Sequence, residues 1–395
     1  MKTAYRTRCW ADLTARRPDR SPVEGSFGRR YLAALLGTPT LAPPVEQTQP
    51  ARQRSFFGPL LAAASIVAVV TLAVWVVTPG PPSLNTVAVE SVEVHTSRIV
   101  IALDESASMT PEDLAHERQA AEFVVRSQLS PRSSVAVLGF SDDAQVLCPM
   151  RTLAGKAERD AMSDCIKNLE NRRPNGGTNH VAAMREALSQ FVGTEPGDRR
   201  MIFLLTDGRL DVDTDPEADR ALKEETSKAR NGNVQIWPIG FGPEVDREAL
   251  SELAAGGYPG SCDDVLRRPG ALTVWTSAGL IAGLAQSTAD AQCAGVASVQ
   301  NLQDRDVQFT VRVPEGAKAA AIVLLKDAAD VNVRLFDSEN RPVPKSGRFG
   351  EITVETDGER DLVEVIRLTG ENPGGWRVIV DSPGRAVTVF ATWAS

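Results

Sequence analysis

The sequence predicts an α/β domain on a doubly wound, mostly parallel sheet, followed by an all-β sandwich and preceded by one transmembrane helix. Three observations carry this. Between residues 97 and 293, short apolar runs alternate with helix-period segments, the pattern of strands joined by crossover helices. From residue 299 the helical period stops, and short β-like runs separated by turn residues take over. Ahead of both, residues 56–78 contain no charged side chain. A chain of 395 residues has room for more than one folded unit.

Residues 1–55 are a basic tail, rich in Arg and Pro and poor in apolar residues, a composition that favours disorder. The tail carries a net charge of +6 and the remaining residues −14, so the two parts suit different surroundings. An acidic body argues against nucleic acid as a partner, since phosphates need a basic footprint. The apolar stretch at 56–78 has the length of a membrane-spanning helix. Arg52 and Arg54 precede it and Trp75 lies near its far end, which places the N-terminus in the cytoplasm and the rest of the chain outside. The run is too long, and its leader too extended, for a cleaved signal peptide, so the stretch reads as a signal-anchor in the cell membrane. Residues 79–96 form a linker, Pro-rich at its start.

In the α/β region, spanning 97–293, the expected buried strands are 99–103, 135–140, 201–205, 234–241 and 271–275. Helices are expected at 112–129, 156–169, 180–191, 217–230 and 278–291. Thr110-Pro111-Glu112-Asp113 combines an N-cap, a proline at the first helical position and an acid at the third, and Asp215-Pro216-Glu217 repeats the signal. An irregular segment is expected at 259–270.

The first of these strands ends in Asp104, Ser106 and Ser108, a D-x-S-x-S spacing. A tight loop at a strand's carboxyl end can turn one carboxylate and two hydroxyls toward a common point, and hard oxygen ligands of this kind suit Mg²⁺. G-G-T follows at 176–178 and T-D-G at 206–208. With all three segments in this order, residues 97–292 resemble a von Willebrand factor A (vWA) domain, a Rossmann-like fold, carrying a metal-ion-dependent adhesion site. The resemblance implies Asp104, Ser106, Ser108, Thr178 and Asp207 as the metal set. It also implies Mg²⁺ as the ion, with Mn²⁺ or Ca²⁺ as substitutes, and a protein partner presenting a Glu or Asp. Ala107 departs from the family's usual Gly, which matters only if that residue needs a positive φ.

Beyond 299, runs at 307–313, 320–325, 331–336, 351–354, 362–368, 376–380 and 386–393 make up a sandwich of about 100 residues. Its G-G-W-R-V-I-V segment is similar to sandwiches that follow vWA domains in some secreted or membrane proteins. Cys148, Cys165, Cys262 and Cys293 all lie beyond the membrane stretch, and an even number there suggests two disulfides with three possible connectivities. Pairing neighbours, Cys148 with Cys165 and Cys262 with Cys293, closes the shorter loops. The Arg/Ala/Val-rich style and the absence of N-x-S/T sequons past the membrane stretch lean toward a bacterial source.

Two rival readings compete with adhesion. A hydrolase is the weaker: Gly139-Phe140-Ser141-Asp142-Asp143 half resembles a nucleophile elbow, but it lacks the second Gly, and His95, His116 and His180 leave the third triad position almost without a candidate. No catalysis is expected. The stronger rival is a metal-stabilised envelope scaffold or sensor, in which the ion pins three loops without binding a partner.

Overall fold

β1 (Ser97–Asp104) sits at the centre of its sheet because its side chains are buried on both faces. In the computed structural model the described residues are 96–395, without 172–175, 194–196, 209–215, 244, 261, 263–267, 277–278, 303–306, 315, 371–373, 382–384, 386 and 395. The basic tail, the 56–78 stretch and all but the last residue of the linker lie outside them, as does much of the 259–270 segment. No helix among the described residues is long and apolar enough to cross a membrane.

The next elements are α1 (Pro111–Ser127), β2 (Ser134–Phe140), β3 (Ala144–Thr152), α2 (Lys156–Lys167) and α3 (His180–Ser189). After them come β4 (Arg199–Thr206), α4 (Pro216–Asn231), β5 (Val234–Phe241), α5 (Arg247–Gly256), β6 (Leu272–Val274) and α6 (Leu280–Gln292). The sheet order is β3-β2-β1-β4-β5-β6, parallel except for β3. Side chains alternate strictly along it. Ile99, Ile101 and Leu103 pack with α1 and α6, while Val100 and Ala102 pack with α3. Thr110 caps α1 through a complete capping box with Asp113.

The antiparallel edge strand β3 is an addition to the expected elements. It is half exposed, interrupted by Pro149, and its register with β2 shifts around Val137. Proline cannot donate to a ladder and is tolerated at edges and irregularities, so this strand has no strong apolar signature.

β7 (Gly295–Leu302), β8 (Val307–Arg312), β9 (Ala319–Lys326), β10 (Val333–Phe336), β11 (Pro342–Val343) and β12 (Ser346–Phe349) follow. β13 (Ile352–Asp357), β14 (Val363–Thr369), β15 (Gly375–Val380) and β16 (Val387–Ala394) complete the chain's elements. They form two sheets, β11-β10-β15-β8 and β12-β13-β14-β9-β16-β7. β7 begins at Gly295, ahead of the first expected run, and β11 and β12 are short and mostly exposed.

The larger of these sheets is covered on both faces. Ile322, Leu324, Ile366 and Val389 face the smaller sheet, whereas Ala321, Val323, Val363, Val365 and Phe390 join the core that contains α1. This explains the unbroken apolar run A-A-A-I-V-L-L in β9. Helix α1 is therefore a shared layer, with Phe123 packed on Phe390 at 5.9 Å between ring centroids.

Charged side chains stitch the same junction. Arg126, buried, donates to Glu122 (2.9 Å), Asp160 (3.1 Å) and Asp361 (2.9 Å). Asp357 on β13 accepts from Arg159 (2.6 Å) and Arg367 (2.7 Å), and Arg367 also donates to the carbonyl of Arg126. Burial alone would raise the Asp357 pKa, but Arg367 and Arg159 outweigh it and hold the carboxyl below its ordinary value. A depressed folded-state pKa contributes stability that is present above the unfolded value near 4 and is lost as pH falls through the folded value. Asp357→Asn should therefore flatten the loss of stability below about pH 4. Urea midpoints measured from pH 2 to 7 would check this, and an unchanged acid limb would refute it.

The disulfides are Cys148–Cys165, tying β3 to α2, and Cys262–Cys293, which fastens the segment after α5 to the end of α6.

Candidate metal centre

The strand order reverses between β1 and β4, and the crevice at such a point lies outside the strands' carboxyl ends. Ala102 pairs with Leu204, which brings Asp104 level with Thr206. Asp104 is fully buried. Its Oδ1 accepts from the Ser106 N–H (2.9 Å) and its Oδ2 from the Thr206 hydroxyl (2.6 Å). The hydroxyls of Ser106 and Ser108 lie 2.9 Å apart, and Ser108 donates to Asp207 Oδ1 at 2.9 Å. Asp104, Ser106, Ser108 and Asp207 thus form one connected group.

The second loop is held against the first by the Ala107 N–H, which donates to the Gly176 carbonyl (3.1 Å). Gly176 has φ +77°, and a Cβ there would fall 2.5 Å from Asp142 Oδ2, so only glycine fits both the conformation and the space. Asp142 Oδ1 in turn accepts from the Gly177 N–H (2.7 Å), and Asn179 donates to the Asp142 carbonyl. Thr178 reaches the third loop, since a Cβ on Gly208 would lie 3.2 Å from its hydroxyl oxygen. Four of the five expected residues are thus hydrogen-bonded together, and Thr178 lies beside the loop that carries Asp207. Ala107 is exposed and absent from the positive-φ residues, so the departure from Gly carries no backbone strain.

Two further side chains belong to the centre. Thr206 fixes Asp104 as described, and Glu117 Oε1 on α1 accepts from the Asp104 N–H at 3.2 Å. Glu117 Oε2 is buried with no hydrogen-bond partner among the described residues. Its signal was present in the sequence: a carboxylate on the apolar stripe that Leu114, Ala121 and Val124 define.

Burial pushes the Asp104 carboxyl up to about 6, against hydrogen bonds from Ser106 and Thr206 that pull it down. Glu117 is raised well above its ordinary value, first by burial and then by Asp104. Asp207 is raised too, chiefly by burial. The groups that disfavour ionisation here are low polarity and other carboxylates. A hydrogen-bonded group of two serine hydroxyls and two carboxylates, with Thr178 beside it and a buried Glu117 oxygen that lacks a partner among the described residues, fits a hard divalent cation.

Next to this centre His180 begins α3. It is buried, and burial lowers its pKa to about 4, so the ring is neutral. It packs against Phe140 at 5.6 Å between ring centroids.

Residues 99–262 match the family model for the von Willebrand factor type A domain. This segment is a vWA domain. The curated relative YfbK of Escherichia coli K12, itself uncharacterized, is 24% identical over 173 residues, covering 43% of this chain and 29% of YfbK. Among solved structures, a von Willebrand factor type A protein from Catenulispora acidiphila is similar at 18% identity and a TM-score of 0.41, covering 76% of this chain and 64% of that one. Proximal thread matrix protein 1 of the mussel byssus, in a form with a zinc-occupied MIDAS motif, is 17% identical with a TM-score of 0.40, covering 53% and 50%. The chain thus spans less than a third of the curated relative and under two thirds of the first structural one. vWA domains commonly mediate metal-dependent protein interactions.

Proposed function

We propose that this protein binds a protein partner through a divalent-metal site formed by Asp104, Ser106, Ser108, Thr178 and Asp207. The observation that carries the reading is the hydrogen-bonded group of Asp104, Ser106, Ser108 and Asp207, with Thr178 beside the Asp207 loop and the buried Glu117 carboxylate against Asp104. Mg²⁺ is the expected ion, with Mn²⁺ or Ca²⁺ as substitutes that accept oxygen ligands. A bound ion would supply an electrophilic position for an anionic oxygen, most simply a partner's Glu or Asp side chain. The reading assigns no catalysis. The 56–78 stretch would anchor the protein in the cell membrane with the vWA domain outside, a placement in keeping with two disulfides.

The test is calorimetric titration of the full-length protein in detergent with N-acetyl-Asp-norleucine amide, in Mg²⁺ and in EDTA. Binding should occur in Mg²⁺ and vanish in EDTA and in Asp104→Ala. Metal uptake without peptide binding would favour the scaffold reading, and loss of neither in Asp104→Ala would overturn the site.

A further inference from the structure

The two disulfides meet different surroundings. Among the described residues no basic side chain hydrogen-bonds to Cys148–Cys165; Cys148 is fully buried, and Cys165 Sγ lies 3.7 Å from the Leu147 carbonyl. Cys262 and Cys293 are half-buried, and a guanidinium lies against both sulfurs. Nη1 of Arg199, the first residue of β4, is 2.6 Å from Cys293 Sγ and 3.5 Å from Cys262 Sγ, and it also donates to the Ala291 carbonyl (3.2 Å). We propose that Cys262–Cys293 is a thiol–disulfide exchange site whose substrate is a dithiol, with Cys293 as the leaving thiolate, while Cys148–Cys165 is a permanent brace. The inference goes beyond the adhesion reading and does not depend on a bound metal.

Charge carries the argument. Among the described residues no carboxylate pairs with Arg199, and the adjacent Asp198 is taken by Arg98 (2.9 Å). Burial pulls the Arg199 pKa down, with the Tyr258 phenol opposing. A guanidinium stays charged in proteins, and a half-buried cation without an anion is costly. A disulfide sulfur is a weak acceptor with no charge to offer, whereas a Cys293 thiolate supplies the missing anion. Cys262 points the same way. Its Sγ lies 3.3 Å from the Asp290 carbonyl, a contact to which a thiol brings a proton and a disulfide brings none. The site thus holds a counter-ion for one product of reduction and an acceptor for the other. Stabilised reduced cysteines make a disulfide easier to reduce, and a lower leaving-thiol pKa speeds exchange.

The step balances with the dithiol as reductant. One of its thiols gives a proton to solvent, and the thiolate attacks Cys262 Sγ. The Sγ–Sγ bond breaks, and its electron pair leaves on Cys293 beside Arg199. The second thiol, as thiolate, then attacks the reductant's own sulfur in the mixed disulfide, and Cys262 departs and takes up the second proton. Two electrons pass to the protein, and the dithiol becomes a disulfide.

The experiment equilibrates the full-length protein in detergent with mixtures of reduced and oxidised dithiothreitol, quenches with N-ethylmaleimide and reads each cysteine by peptide mass spectrometry. Cys262–Cys293 should be half reduced at a reduced-to-oxidised ratio about tenfold or more below that for Cys148–Cys165. Arg199→Gln should raise its midpoint ratio about tenfold, the scale of one charge-assisted hydrogen bond, and leave the Cys148–Cys165 midpoint in place. Arg199→Lys, which keeps the charge, should stay close to wild type. Coincident midpoints of the two disulfides in the wild type would overturn the proposal, as would an unmoved Cys262–Cys293 midpoint in Arg199→Gln. A shift of both midpoints together in Arg199→Gln would also overturn it, since that reports a change in the fold as a whole.

Discussion

Replacing Arg126 by Ala should destabilise the protein by about 3–5 kcal/mol, the scale for breaking a buried ion pair from one side. The side chain is 1% exposed and serves three carboxylates at once, on α1, on α2 and on the turn before β14. Its removal strands Glu122, which is nearly as buried and whose pKa burial already raises despite Arg126. It also leaves a void against the core around Phe123. A melting temperature lower by roughly 10 °C is the expected reading. Arg334→Ala makes the contrast, because Arg334 and Asp381 are paired near solvent and such pairs are worth about 0–1 kcal/mol. Arg126→Lys should fall between them, since an ammonium cannot reproduce the three-way fork. Equal melting of Arg126→Ala and Arg334→Ala would refute the view that Arg126 locks the two sheets through α1.

That junction was hidden in the sequence for a physical reason. Glu122, Arg126 and Arg159 look like the solvent face of helices, and their partners Glu355, Asp357 and Asp361 lie some two hundred residues further on. Local periodicity carries no information about such pairs. The strands β1, β2, β4 and β5 were legible because burial on both faces makes each a continuous apolar run. β3, with Pro149 and an exposed face, had no such run.

The candidate site was legible in the residues expected to face a metal and opaque in their supports. Asp104, Ser106 and Ser108 are close in sequence and announce themselves by spacing, and Thr178 and Asp207 by the short motifs that contain them. Thr206 and Glu117 act on Asp104 only once β4 and α1 are packed beside β1. The cysteines show the same limit: spacing left three pairings open, and the packing of α2 on β3 and of α6 near residue 262 selected neighbours.

The largest effect at the site itself should be a reversal of stability order in Asp104→Asn. In EDTA the wild type buries a carboxylate whose neighbours are Glu117 and Asp207. Asparagine keeps an oxygen for the Ser106 N–H and a polar atom for Thr206, while the buried charge disappears. Metal-free Asp104→Asn should therefore be more stable than wild type by about 1–3 kcal/mol, the scale of a pKa raised by one to two units. With Mg²⁺ at a hundred times its dissociation constant, the wild type gains about 2.7 kcal/mol by mass action, and the variant, short of a charged ligand, gains little. The two melting curves should then exchange places between EDTA and saturating Mg²⁺. Parallel shifts in both proteins would mean that the ion binds elsewhere. A variant less stable than wild type in EDTA would mean that the Asp104 charge is compensated within the fold, and that the buried carboxylates are not waiting for a cation.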